Sequence, residues 1–202
     1  MIRDLVFDMG GVLMVYDPAT FTARFDLPEE DRRALEQYVF RSAEWSLLDW
    51  GFADEEEVVR SACERLPERL HPYARELVRS WNDPVIPVEG MEELLRQAKK
   101  AGYGLYLLSN AAQSHREYWL RVPGHELFDG MVVSSFEKLS KPESAIYELL
   151  LERYHLDPAQ CVFIDDFPLN VAAGRLCGMN GIVFRGADDL RRELRRLGVE
   201  LT

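Results

Sequence analysis

The chain has 202 residues, 47% of them hydrophobic and 29% charged, which excludes wholesale disorder and suits one α/β domain carrying a modest insertion. Its 24 Lys plus Arg against 35 Asp plus Glu leave a net charge of −11, which argues against a nucleic-acid protein, since that class needs a basic face to displace counterions. Only Lys99, Lys100, Lys138 and Lys141 are lysines, so the position of each is worth explaining.

The first apolar run, Leu5–Phe7, reads as a buried parallel strand. Asp4 and Asp8 interrupt any apolar signal segment, and no run reaches the roughly 18–20 apolar residues of a membrane span, so a cytoplasmic chain without membrane attachment is expected. From Tyr16 to Asp83 the pattern changes. Amphipathic helical stretches lie near Glu29–Phe40, Asp54–Leu66 and Pro72–Trp81, with no convincing strand. That segment holds 9 basic and 16 acidic residues, and Pro84–Val85–Ile86–Pro87 closes it as a linker. An all-helical insertion over residues 16–85 is expected, with the core formed by 1–15 and 86–202.

Downstream, helix and strand alternate. Met91–Ala101 carries Met91, Leu94, Leu95 and Ala98 on one face and stops at Gly102. Leu105–Leu108 and Met131–Val133 read as strands, and a helix follows over Pro142–His155 with Pro near its start. Cys161–Ile164, a helix over Leu169–Cys177, and a fifth strand at Ile182–Phe184 complete the series. The alternation predicts an α/β fold: a Rossmann-like, doubly wound parallel sheet in three α/β/α layers. The three cysteines have no CxxC spacing, and the four histidines have no zinc-site spacing. All but His115 are expected to be structural or surface residues.

Ligands of open α/β sheets bind outside the carboxyl ends of the strands. Asp8 follows the first strand, in FDMGGVL. Ser109 and Asn110 follow the second, in LLSNAA. Ser134, Ser135 and then Lys141 follow the third, and Asp165 and Asp166 follow the fourth, in FIDDFPLN. An Asp at a strand end is commonly a turn former or helix cap. Four such termini in this order point instead to phosphoryl transfer. Three carboxylates crowd together at neutral pH only around a cation, and a hard divalent ion, Mg²⁺ above all, fits oxygen ligands. Asp8 is then placed to attack phosphorus, Ser109 to donate to a phosphoryl oxygen, and Lys141 to neutralise carboxylate and phosphate together. Gly10 and Gly11 permit a tight turn that presents backbone amides to an anion.

These segments resemble the four motifs of the haloacid dehalogenase-like hydrolase superfamily, in order across the whole chain. The resemblance implies that Asp8 is nucleophile and metal ligand, with the Gly10 carbonyl as a second ligand. It makes Ser109 with Asn110 the second motif, Lys141 the third, and Asp165–Asp166 the acidic metal motif. The helical insertion falls where the family places a small cap over the site. The phrasing is most similar to the sugar-phosphate phosphatase branch near glucose-1-phosphate phosphatase. A small phosphorylated substrate, and a monomer or homodimer, are expected on this basis.

Most phosphatases of the family carry a second Asp two residues after the nucleophile, as general acid and base. Here that position is Gly10. A positioned acid–base group contributes roughly 10²–10⁴-fold, so its loss calls for an account. Another group supplies the proton, such as Asp17, His115 or a cap residue. Or the substrate, a sugar 1-phosphate for example, has a good leaving group. Or the site binds phosphate and metal without efficient turnover. The dehalogenase branch also lacks the second Asp, but it needs no metal and usually lacks the adjacent carboxylate pair. In the cap, Glu44–Phe52 is dense in aromatics, and the resemblance implies that this is where the family's substrate-specificity loop descends into the site. Trp45 or Trp50 is placed to stack on a sugar ring and Asp49 or Glu44 to bind its hydroxyls, unless the tryptophans are cap core. Trp119, with His115 and Arg116, poses the same choice. Asn170 reads either as a substrate contact or as part of a helix N-terminus. Arg191, Arg192, Arg195 and Arg196 read as a solvated, ion-paired helix.

Overall fold

The structure, a computed structural model, describes residues 1–201. Five parallel strands form one sheet in the order β3-β2-β1-β4-β5: β1 Asp4–Phe7, β2 Gly104–Ser109, β3 Gly130–Val133, β4 Cys161–Asp165 and β5 Asn180–Val183. β1 is central, pairing Leu5 with Leu105 on one side and with Val162 on the other. Strands buried on both faces need apolar residues at every position. Leu5 and Phe7 enter one core with Met91, Leu94, Leu95, Leu190 and Leu194. Val6 enters the other with Ile146, Tyr147, Leu150 and Phe163. The doubly wound three-layer fold is as expected from the alternation of elements.

The segment between the first two strands is helical: α1 Pro18–Thr22, α2 Glu29–Leu35 continuing into a π-helical turn at Glu36–Phe40, α3 Ala43–Asp49, α4 Glu55–Arg65 and α5 His71–Ser80. Its own core gathers Phe21, Leu35, Trp45, Val58, Leu70 and Leu77. The chain enters and leaves this segment side by side: Val15 N–H donates to Ile86 O at 2.8 Å, Val88 N–H donates to Leu13 O at 3.0 Å, and Met14 bridges antiparallel to Pro87. The sheet is flanked by α6 Met91–Lys100, α7 His115–Tyr118, α8 Ser134–Glu137, α9 Ser144–Arg153, α10 Pro168–Leu176 and α11 Ala187–Arg196. Lys99 and Lys100 fall in the last turn of α6, where positive charge suits the helix dipole, and Lys99 also pairs with Asp129. On α11, Arg192 pairs with Asp189 and Arg196 with Glu193, as expected for a solvated helix. No helix among the described residues is long and apolar enough to cross a membrane.

Two elements differ from expectation. The fifth strand begins at Asn180, two residues early, because Gly181 and Ile182 pair with Phe163 and Ile164. The stretch around Glu44–Phe52 is largely helix α3, started by Ser42, whose Oγ accepts the Trp45 N–H at 3.1 Å.

Candidate active site

Asp8 leaves β1 with its N–H donating to Ile164 O, so β4 fixes its direction. Its Oδ1 accepts the Met9 N–H at 2.7 Å. The Lys141 ammonium lies 2.8 Å from Asp8 Oδ1 and 2.7 Å from Asp165 Oδ2. It is buried, and desolvation works against its charge, yet the two carboxylates outweigh that and raise its pKa. Asp8, Asp165 and Asp166 offer oxygens within 4.8 Å of one another. The sheet therefore brings together the first, third and fourth motifs, and Ser109 ends β2 beside them, buried.

The cluster suits a divalent cation. Three carboxylates face one ammonium. Desolvation drives the Asp8 carboxyl up to about 7, Lys141 opposes the rise, and Asp165 adds to it. Asp166 is raised as well, by burial and then by Asp165. Extra positive charge would relieve all of this, and hard oxygen donors suit Mg²⁺. Gly11 makes room for the third carboxylate: its φ is +76°, and a Cβ there would lie 2.3 Å from Asp166 Oδ2.

Several expected contacts take other roles. The Asn110 side chain clips the Lys141 backbone, donating from Nδ2 to Lys141 O and accepting the Lys141 N–H on Oδ1, both at 2.9 Å. It positions the lysine rather than reaching for phosphate. Asn170 is buried, and its Nδ2 donates to both oxygens of Asp165, at 3.2 and 3.1 Å. Phe167 N–H donates to Asp165 Oδ1 at 2.8 Å, which completes the support of that carboxylate. Trp45 is only 4% exposed and packs edge-on against Phe40 and Trp81, so it has no face open to a sugar. Trp119 is likewise core, stacked on His115 at 5.5 Å. Glu44 is held below its ordinary pKa by hydrogen bonding to Arg65, and it faces that partner rather than the site.

Two of the expected proton sources fall away. Asp17 caps α1, accepting from Ala19 N–H, Thr20 N–H and Thr20 Oγ1. His115 is buried, and desolvation drives its pKa down to about 4, so at neutral pH it has no proton to give. Asp49, expected from sequence as a contact for sugar hydroxyls, ends α3. Desolvation pushes its pKa up to about 8, the Ala112 N–H opposes this, and the charge of Asp8 adds to it. Tyr16 and Tyr118 both feel the Asp49 charge, which works with burial to raise their pKa values.

The haloacid dehalogenase-like hydrolase family model matches residues 2–178. The chain belongs to the haloacid dehalogenase-like hydrolases. The chain is similar to a sesquiterpene phosphatase, astK, of Aspergillus oryzae, 27% identical over 199 residues that cover 95% of this chain and 94% of that enzyme. Another is the phosphorylated carbohydrates phosphatase of Thermotoga maritima, 26% identical over 187 residues, covering 88% of this chain and 82% of the relative. A solved HAD family enzyme from Bacteroides thetaiotaomicron, in complex with magnesium and inorganic phosphate, shares the fold at TM-score 0.65 and 21% identity, covering 96% of this chain and all of that one.

Proposed function

We propose that this hydrolase is a Mg²⁺-dependent phosphatase that cleaves a small phosphate monoester through an aspartyl-phosphate on Asp8. The observation that carries this reading is the buried Lys141 ammonium shared by Asp8 and Asp165, with Asp166 close enough to complete a site for a hard cation. Asp8 Oδ1 is engaged by Met9 N–H and Lys141, which leaves Oδ2 to attack phosphorus. Lys141 balances charge on Asp8 as the phosphoryl group arrives. Ser109 donates to a phosphoryl oxygen, and the loop at Gly10 and Gly11 presents amides to it. Asp8, Asp165, Asp166 and the Gly10 carbonyl would hold the ion, which when bound supplies the positive charge that lets a phosphate dianion approach a carboxylate. Asn110 and Asn170 keep Lys141 and Asp165 in register.

The sugar-phosphate expectation now rests on the resemblance to the glucose-1-phosphate phosphatase branch, since Trp45 is closed to a ring. The two phosphatase relatives are named for different organic groups, a sesquiterpene and phosphorylated carbohydrates. The test is a panel of sugar 1-phosphates, sugar 6-phosphates and isoprenoid monophosphates with Mg²⁺, comparing the wild type with Asp8→Asn. Turnover of at least one ester, lost by more than 10³-fold in the variant, is expected. No turnover of any ester, or equal rates in the two proteins, would sink the reading. Halide release from a 2-haloacid without Mg²⁺ would put dehalogenation in its place.

A further inference from the structure

Gly10 leaves the first strand's loop without a carboxyl at the position where an acid would serve the leaving group. The space is not open. A Cβ on Gly10 would lie 3.2 Å from Tyr16 Cβ, so Tyr16 occupies the direction a side chain there would take. The Tyr16 ring stands edge-on to Trp81 at 5.4 Å, and Trp81 stands edge-on to Tyr118 at 5.5 Å, making an aromatic wall beside Asp8. Asp49, from the insertion, lies near enough for its charge to bear on Tyr16 and Tyr118 and for that of Asp8 to bear on it.

The backbone holds Asp49 there. Its carbonyl accepts the Ser134 hydroxyl, and Ser134 in turn accepts the Ala111 N–H at 2.9 Å, just past Ser109 and Asn110. Two residues on, Gly51 has φ +77°, and a Cβ there would lie 2.5 Å from Ser135 O, so α3 sits directly on α8. The Asp49 carboxyl takes the Ala112 N–H, and among the described residues it has no ion-pair partner. It also closes the C-terminal end of α3, where the helix dipole disfavours a negative charge. An acid half-buried, without an ion-pair partner and set at the carboxyl end of a helix favours its neutral form. Of the other carboxyls near Asp8, Asp165 is committed to Lys141 and Asn170, and Asp166 completes the acidic cluster with Asp8 and Asp165.

We propose that Asp49 is the proton donor and acceptor of this site, acting from the insertion in place of a carboxyl at position 10. The assignment rests on the phosphatase reading above. As the bond from Asp8 Oδ2 to phosphorus forms, the ester P–O bond breaks, and the Asp49 proton passes to the departing oxygen to give the free alcohol. Water then attacks phosphorus and yields its proton to the Asp49 carboxylate. The Asp8–phosphorus bond breaks, inorganic phosphate leaves, and both carboxyl groups return to their starting forms.

The experiment compares p-nitrophenyl phosphate, whose leaving group needs no proton, with the best alkyl monoester of the panel, in wild type, Asp49→Asn and Asp49→Ser. Both variants should lose roughly 10²–10⁴-fold in kcat/KM on the alkyl ester. On the aryl ester they should keep a burst of one p-nitrophenolate per chain and then turn over slowly, with phosphate trapped covalently on the protein after acid quench. Unchanged binding of Mg²⁺ and inorganic phosphate by calorimetry shows that the site is intact. Equal losses on both esters without a burst, or wild-type rates on both, overturn the assignment. If the wild type cleaves neither ester, the phosphatase reading itself fails and the assignment goes with it.

Discussion

Lys141 is surrounded by groups that hardly touch solvent: Asn110 grips its backbone, while Asp8 and Asp165 take its ammonium. Burying charges in this way stabilises little by itself, and breaking such a pair costs about 3–5 kcal/mol, because the remaining charge is left without compensation. The arrangement is therefore better understood as preorganisation for an incoming anion than as a source of stability. His115 shows the opposite solution, a titratable group kept neutral among Tyr118, Trp119 and Phe136. Its folded pKa of about 4 lies below the unfolded value of 6.5, so the unfolded chain takes up the proton first. Above pH 6.5 the residue is neutral in both states. As pH falls from 6.5 towards 4 it should withdraw up to about 3 kcal/mol of stability. Asp8 and Asp49, with raised carboxyl pKa values, act in the opposite sense over their own range. The contribution of His115 is thus read from the difference between the wild type and His115→Phe in urea unfolding from pH 7.5 to 4. That difference should grow steadily below pH 6.5, and parallel curves would show that the imidazole does not titrate as assigned.

α3 is the element that carries the proposed proton donor, and it spans only seven residues. Two turns are too short for a 3.6-residue period to stand out, and the aromatic residues around it resemble a binding loop as readily as a helix. The one local sign was Ser42, a helix-starting residue three positions before Trp45. Gly51 fixes how the end of this helix meets the sheet layer. Gly51→Ala must relieve a positive φ and a close contact with Ser135 together, which should destabilise the protein by about 1–2 kcal/mol and lift Asp49 away from the site. Activity on alkyl esters is expected to fall tenfold or more while the aryl burst persists, measured beside the thermal midpoint. Loss of the burst would mean that Gly51 supports the nucleophile's side of the site instead.

At the scale of the molecule, the sheet and the gathering of Asp8, Lys141, Asp165 and Asp166 were readable because both have strong local signatures. Leu5–Phe7 and Cys161–Ile164 are apolar runs with no alternation, and each ends in an acid, so position and chemistry coincide. The roles of Asn110, Asn170 and Trp45 were not readable, since an amide or an indole looks the same in sequence whether it faces a ligand or a neighbour. Asp49 was read only as a contact for sugar hydroxyls and not as an acid for a further reason: its partners, Ala112 and Ser134, lie more than sixty residues downstream, and only the packing of the insertion brings them together. The two strands of chain at Leu13–Val15 and Ile86–Val88 add one more prediction. Because they are hydrogen-bonded to each other, a short Gly-containing turn from Val15 to Ile86 should replace residues 16–85 with little loop-closure cost. The shortened chain should still unfold cooperatively in urea, and a broad, non-cooperative transition would show that the core depends on the insertion. The junction thus works as a socket. It closes on itself, so changes within residues 16–85 leave the register of Asp8, Lys141 and the acidic pair to the sheet.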